Sequence, residues 1–201
     1  MVKYKLYYFL SRGRAEMIRF IFAYVGVDYE DIRIPDSEWP KHKDGMPLQE
    51  MPVLEIDGER LCQSTAIYRH LAREYLLYGS NTKEAFYIDM YCACFDEIGQ
   101  KYPFREQDKS RKELLIKDFE KSAPKSLLRV ENLMMKYGHG SKFILNKISL
   151  ADFYLLSFGD FLLPLCSEIV SGVPKIADVY ENIRNHPNMV SWIKKRPVTQ
   201  L

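Results

Sequence analysis

Apolar and polar positions follow one set of periods at the start of the chain and another through the rest. Residues 4–9 form a short, aromatic-rich run, as expected of a β-strand, and it ends in the turn-prone Ser11-Arg12-Gly13. Over residues 14–25, Ala15, Ile18, Phe22 and Val25 recur at three- and four-residue spacing and Gly26 follows, which predicts an amphipathic helix with a glycine stop. Residues 29–34 alternate like a second strand. A strand, a helix and a strand in succession need a crossover connection, so the two strands are expected to be parallel. After a proline-punctuated loop with Pro47 and Pro52, residues 53–56 run into Asp57-Gly58, a two-residue turn signal for an antiparallel hairpin whose return strand is 59–62. Ser64 is then expected to cap a helix running through Ile67, Tyr68 and Leu71 to about Tyr75.

Beyond the polar segment 78–83, with Gly79, Ser80 and Asn81, the pattern is helical only. This predicts domains at 1–77 and 84–201, joined by a linker over 78–83. Helices are expected at about 84–102, ended by Pro103, and at about 107–137, ended by Gly138 and Gly140, with Pro124 as a candidate break. Ser149 and Asp152 make a capping box for a third, with Ile148 placed to staple onto Phe153. Two shorter helices start near Pro174 and Pro187. The expected fold is therefore α/β plus all-α, a βαβ-ββα N-terminal domain followed by an all-helical one.

Composition narrows the function classes. Lys and Arg number 29 against 27 Asp and Glu in 201 residues, and a net charge of +2 gives no field strong enough to recruit nucleic acid or an anionic membrane by itself. Cys62, Cys92, Cys94 and Cys166 are too few and too irregularly spaced for a disulfide framework, which suits reduced thiols in the cytoplasm. The opening Met-Val-Lys-Tyr-Lys-Leu has no signal-peptide core, and no apolar run is long enough for a membrane span. No metal site is expected. Cys92 and Cys94, two apart on a helix, do not face one another, and His42, His70, His139 and His186 lack ligand spacing.

The βαβ-ββα order is the thioredoxin-like arrangement. Joined to a helical domain, and carrying Tyr8-Phe9, Arg12-Gly13-Arg14-Ala15-Glu16, Trp39-Pro40, Pro52-Val53-Leu54, Gln63-Ser64 and Ser149-Leu150-Ala151-Asp152-Phe153, the chain resembles the cytosolic glutathione transferases over its whole length. Tyr-Phe with Arg-Gly-Arg-Ala-Glu is most similar to the sigma class, which includes detoxification enzymes and glutathione-dependent prostaglandin D synthases.

The resemblance implies an activity that elementary chemistry makes intelligible. Glutathione attacks electrophiles as a thiolate, yet an unperturbed thiol, with a pKa near ~8.5, is mostly protonated at neutral pH. A phenol, with a pKa of ~10, keeps its proton and can donate a charge-assisted hydrogen bond to the sulfur. Tyr7 and Tyr8 point to opposite faces of the strand, and the resemblance selects Tyr8 as the catalytic group, with Arg14 adding positive potential. Taken alone, Tyr8 would read as a core aromatic. The resemblance further implies glutathione-binding roles for Trp39, Lys43, Gln49, Glu50, Met51, Pro52, Gln63 and Ser64, with a cis Met51-Pro52 bond presenting backbone to the ligand. It implies a homodimer in which Glu97 reaches the partner's glutathione, and an electrophile pocket with Phe9, Gly13, Phe104 and Tyr154. Glutathione is then a co-substrate, and no cofactor is bound permanently. Peroxidase or prostaglandin isomerase side activity is compatible with the class.

Several positions depart from the family pattern. Leu48-Gln49-Glu50 stands where an aromatic, a glycine, and glutamine or lysine are usual, which adds a negative charge beside an anionic ligand. Leu10 replaces a common asparagine, Phe104 a tryptophan of the prostaglandin synthases, and Asp96-Glu97 their pair of aspartates. The alternative reading is a non-catalytic, crystallin-like protein of the same fold. A thiol oxidoreductase would need a cysteine at the end of the first strand, where Tyr8 stands, and the chain has no Cys-x-x-Cys.

Overall fold

The computed structural model describes residues 2–138 and 142–199. The chain divides into two compact units, one of Met1–Tyr75 together with Pro187–Leu201 and the other of Leu76–His186.

In the first unit, β1 (Tyr4–Phe9) leads through a 3-10 turn (Gly13–Ala15) into α1 (Glu16–Val25), followed by β2 (Glu30–Ile34), the short α2 (Trp39–His42), β3 (Val53–Ile56), β4 (Glu59–Cys62) and α3 (Ser64–Glu74). The strand order is β2-β1-β3-β4. β1 and β2 are parallel, as the crossover requires, and β3 runs antiparallel to both β1 and β4. Gly26 ends α1 in the left-handed region (φ 71°), and Asp57 and Gly58 both take positive φ in the hairpin turn. Alternation along β1 divides the core. Tyr4 meets Phe22 of α1 at a ring separation of 5.0 Å, so Tyr4, Leu6 and Tyr8 face α1. On the opposite face Tyr7 joins Ile34, Met46 and Val53, with Ile32, Trp39, Met51 and Cys62 packed against them. Burial of Met17, Ile18, Phe20, Ile21 and Phe22 anchors α1, at about 2 kcal/mol for each side chain.

Two details differ from the sequence expectation in this unit. Ser64 is the first residue of α3, and the cap position falls to Gln63, whose side chain makes no capping bond. The last helix, α8 (Pro187–Lys195), expected within the domain 84–201, belongs to the first unit. It buries Met189 and Trp192, and two hydrogen bonds tie it to α1: Asn188 Nδ2 donates to the Tyr24 carbonyl (3.0 Å) and Trp192 Nε1 to Glu16 Oε1 (2.8 Å).

The second unit is helical, with α4 (Thr82–Gln100), α5 (Lys109–Tyr137), α6 (Leu150–Leu162) and α7 (Pro174–Arg184). α4 begins inside the expected linker because Asn81 caps it, accepting from the Lys83 and Glu84 N–H groups at 3.0 and 2.9 Å. α5 runs through Pro124 instead of breaking there. Its buried stripe of Phe119, Ala123, Leu127, Val130 and Met134 continues across the proline, and that packing outweighs one lost backbone bond. Gly138 terminates α5, whereas Gly140 and His139 lie outside the described residues. α6 is buried on most of its circumference and opens with the expected Ser149/Asp152 box. Gly159 admits the Tyr180 ring, since a Cβ there would lie 2.4 Å from it. No helix among the described residues is long and apolar enough to cross a membrane.

Candidate functional site

Tyr8 lies near the end of β1 and is 8 % exposed. The chain turns back over it, and the Arg14 N–H donates to Tyr8 Oη at 3.1 Å. Gly13 makes that return possible. Its φ is +37°, and a Cβ there would stand 2.5 Å from Tyr8 Oη. The next carbonyl, that of Arg14, accepts from the Tyr68 hydroxyl of α3, so the Arg14 segment is held on both sides. Tyr8 Oη thus accepts from the backbone while its own proton is left to donate elsewhere. Tyr7 is engaged differently. Its hydroxyl donates to Glu55 Oε2 (3.1 Å), and the Arg60 guanidinium lies 5.0 Å from its ring centroid. Arg60, which hydrogen-bonds Glu55, is the main cause that holds this carboxyl below its usual range.

Beside this turn is a shallow, solvent-open cleft lined by Arg14, Leu48, Glu50, Met51, Pro52, Cys62, Gln63 and Ser64. Three chain features build it: the turn before α1, the approach to β3, and the junction of β4 with α3. The Met51–Pro52 bond is cis. Gln63 adopts φ 69° and ψ 98°, an uncommon backbone state for a residue with a side chain, at the point where β4 gives way to the helix. Because Gln63 supplies no side-chain cap, the first-turn N–H groups of α3 keep the positive end of the helix dipole at the cleft. Arg14 is exposed, and its guanidinium has no ion-pair partner among the described residues.

The remaining residues singled out in the sequence lie elsewhere. Trp39 packs edge-on against Phe9 (5.4 Å between centroids), and Lys43 is exposed in a 3-10 turn, neither lining the cleft. Gln49, next to the cleft at φ 53°, donates to Asp44 Oδ1 at 3.3 Å. In the second unit, Glu97 is largely exposed and pairs with Lys101 one helical turn on (2.9 Å). Phe104 packs against Tyr102 and Phe161, at 4.8 and 4.6 Å between ring centroids. Tyr154 is half-buried on α6.

Sequence reasoning missed Cys62 in the cleft lining, the Tyr68 hydroxyl, and Arg19. The last had a signal: it is the one charged residue in the run Met17-Ile18-Arg19-Phe20-Ile21-Phe22. Arg19 is fully buried, and Nη1 donates to the Ser11 and Arg12 carbonyls (3.3 Å each) and to Glu16 Oε2 (3.1 Å). Nε and Nη2 both reach Asp31 Oδ1 at 3.2 Å. Glu16 also accepts from Trp192 and from Arg196 (3.0 Å), and Asp31 pairs with Arg33 (2.8 Å). Among the described residues, no group of three or more His, Cys, Asp or Glu could hold a metal ion.

Residues 2–73 match the family model for the glutathione S-transferase N-terminal domain, and residues 96–196 match that for its C-terminal domain. The chain belongs to the glutathione S-transferase family. Among its relatives, the hematopoietic prostaglandin D synthase of Rattus norvegicus is 36% identical over the full length of both chains. S-crystallin SL11 of Nototodarus sloanii is also 36% identical, over 98% of each. Among solved structures, a Nu-class glutathione S-transferase from Haemonchus contortus superposes with a TM-score of 0.90 at 34% identity, over all of both chains. Glutathione is the co-substrate of glutathione S-transferases. The segment that matches the family's N-terminal domain contains Tyr8 and the whole cleft, whereas Glu97, Phe104 and Tyr154 fall in the C-terminal match.

Proposed function

We propose that the protein conjugates the thiolate of glutathione to small hydrophobic electrophiles, with the Tyr8 hydroxyl keeping its proton and donating a hydrogen bond to the sulfur. The observation that carries this reading is the Arg14 N–H bond to Tyr8 Oη, which occupies the oxygen as acceptor and leaves the phenolic proton to donate, in a turn whose Arg14 lines the cleft. Arg14, exposed and without an ion-pair partner among the described residues, adds positive potential for the thiolate. Met51 offers backbone to the cysteinyl unit of the ligand, and Gln63 and Ser64, at the positive end of α3, take its γ-glutamyl carboxylate. Trp39 and Lys43 are assigned to the glycyl end. Electrophile contact is assigned to Phe9, Gly13, Phe104 and Tyr154. The proposal includes a cytoplasmic homodimer in which Glu97 serves the partner's glutathione. Tyr8→Phe tests the central claim: conjugation of a generic aromatic electrophile should fall about 100-fold, the effect of removing one donor to a developing anion. Unchanged turnover would refute it.

One observation favours a second reading, a non-catalytic protein of this fold. Glu50 places a carboxylate in the lining of a cleft meant for an anionic tripeptide, and one of the relatives is an S-crystallin. Failure to bind immobilised glutathione would select this second reading.

A further inference from the structure

Burying a guanidinium costs several kcal/mol unless every donor is met, and the face of α1 that Arg19 occupies is otherwise apolar. A leucine there would pack without that penalty. Every donor group of Arg19 is met, and two of its acceptors, the Ser11 and Arg12 carbonyls, belong to the turn immediately before Gly13 and Arg14. The Arg12 carbonyl also accepts from the Glu16 N–H (3.0 Å), so both ends of the turn converge on one oxygen. Arg33 adds a third hold, donating to the Leu10 carbonyl at 3.0 Å. Holding these carbonyls fixes the peptide planes that lead into Gly13, the residue from which the chain turns to aim the Arg14 N–H at Tyr8 Oη. The same guanidinium lies 6.0 Å from the Tyr8 ring centroid, at the outer edge of cation–π range.

We propose that Arg19 is a positioning residue for thiolate formation, holding the turn so that the Arg14 N–H engages Tyr8 Oη and the phenolic proton is directed at the glutathione sulfur. The proposal rests on the Tyr8 reading above. Arg19 touches neither substrate nor sulfur and acts only through this turn. The charged and titratable groups facing it are Glu16 on its own helix, Tyr29, Asp31 and Arg33 at β2, and Arg196 through Glu16.

The test is a double-mutant cycle of Tyr8→Phe and Arg19→Lys, reading kcat, the KM for glutathione, and the pH at which the ultraviolet absorbance of the bound thiolate appears. Lysine keeps the charge but cannot reach two carbonyls and two carboxylates at once. Arg19→Lys alone should lower kcat about tenfold with little change in KM, and should move thiolate formation up by about one pH unit. In the Tyr8→Phe background the same change should cost less than about twofold, because residues acting through one group are not additive. An equal loss in both backgrounds would assign Arg19 a purely structural role, and no loss in either would also overturn the proposal. If Tyr8→Phe is itself fully active, the Tyr8 reading fails first and the proposal falls with it. Should Arg19→Lys not fold, Asp31→Asn loosens the same guanidinium and is judged by the same criterion.

Discussion

Asp152 offers the sharpest stability test in the helical unit. The residue is fully buried, with Oδ1 accepting the Ile144 N–H (2.9 Å) and Oδ2 accepting both the N–H (2.8 Å) and the hydroxyl (2.9 Å) of Ser149. Replacement by alanine orphans two buried backbone donors, each costing about 1–3 kcal/mol. Relief from burying a charge offsets part of that, so the net loss should be about 3 kcal/mol at pH 7. Asparagine keeps one acceptor oxygen but turns an amide NH2 toward one of the donors, and should lose about 2 kcal/mol. Urea unfolding followed by far-ultraviolet circular dichroism, with an unchanged slope, measures both. A loss below about 1 kcal/mol for Asp152→Ala would refute the reasoning. The same carboxyl carries a pH signature, because burial outweighs its hydrogen bonds and pushes its pKa from 3.8 up to about 6. Between those values the folded state binds the proton more tightly than the unfolded one. This contribution therefore declines as pH rises from about 4 to 6, by roughly 3 kcal/mol, and is flat above. In Asp152→Asn the slope should vanish from that window.

Three further outcomes follow from single contacts. Gly13→Ala should cut conjugation by about 10- to 100-fold, since its Cβ would displace Tyr8 Oη, and wild-type turnover in that variant would show that the Tyr8–Arg14 contact does not set the rate. Glu50→Gln removes a carboxylate from the cleft and should tighten glutathione binding by about two- to fivefold at low salt and less at high salt; calorimetry showing no gain would remove Glu50 from the ligand's surroundings. Tyr29 has a buried hydroxyl without a hydrogen-bond partner among the described residues, and burial raises its pKa. Tyr29→Phe should hold or raise stability by up to about 1 kcal/mol, and a clear loss in urea unfolding would mean the hydroxyl is satisfied after all.

What the sequence disclosed was local. The Asp57-Gly58 turn, the Gly26 stop and the Ser149/Asp152 box each depend on a residue type that its backbone position demands, so they can be read from one dimension. Arg14, Glu50, Met51, Pro52, Gln63 and Ser64, singled out by the resemblance, line one cleft. The features that escaped depend on packing. Gln63 takes a left-handed cap position that no residue-type rule would give it, and α5 ignores Pro124 because a buried stripe carries it across. An amphipathic α8 does not announce which partner its apolar face will cover, so its membership of the first unit was invisible. Arg19 was conspicuous in an apolar run, but its acceptors are carbonyls, and carbonyls have no sequence signature.

The placement of α8 has a consequence for biosynthesis. The sheet and the turn over Tyr8 are encoded in the first 75 residues, yet two donors to the buried Glu16 carboxylate, Trp192 and Arg196, come from beyond the helical segment. As the polypeptide leaves the ribosome, the N-terminal unit has to wait through the whole helical segment with that carboxylate held by Arg19 alone. Its last two partners emerge only after the intervening 76–186 has been made. The unit whose sheet is encoded first is thus completed only after the helical segment, and losing Trp192 and Arg196 would strip Glu16, next to the turn over Tyr8, of two of its side-chain donors.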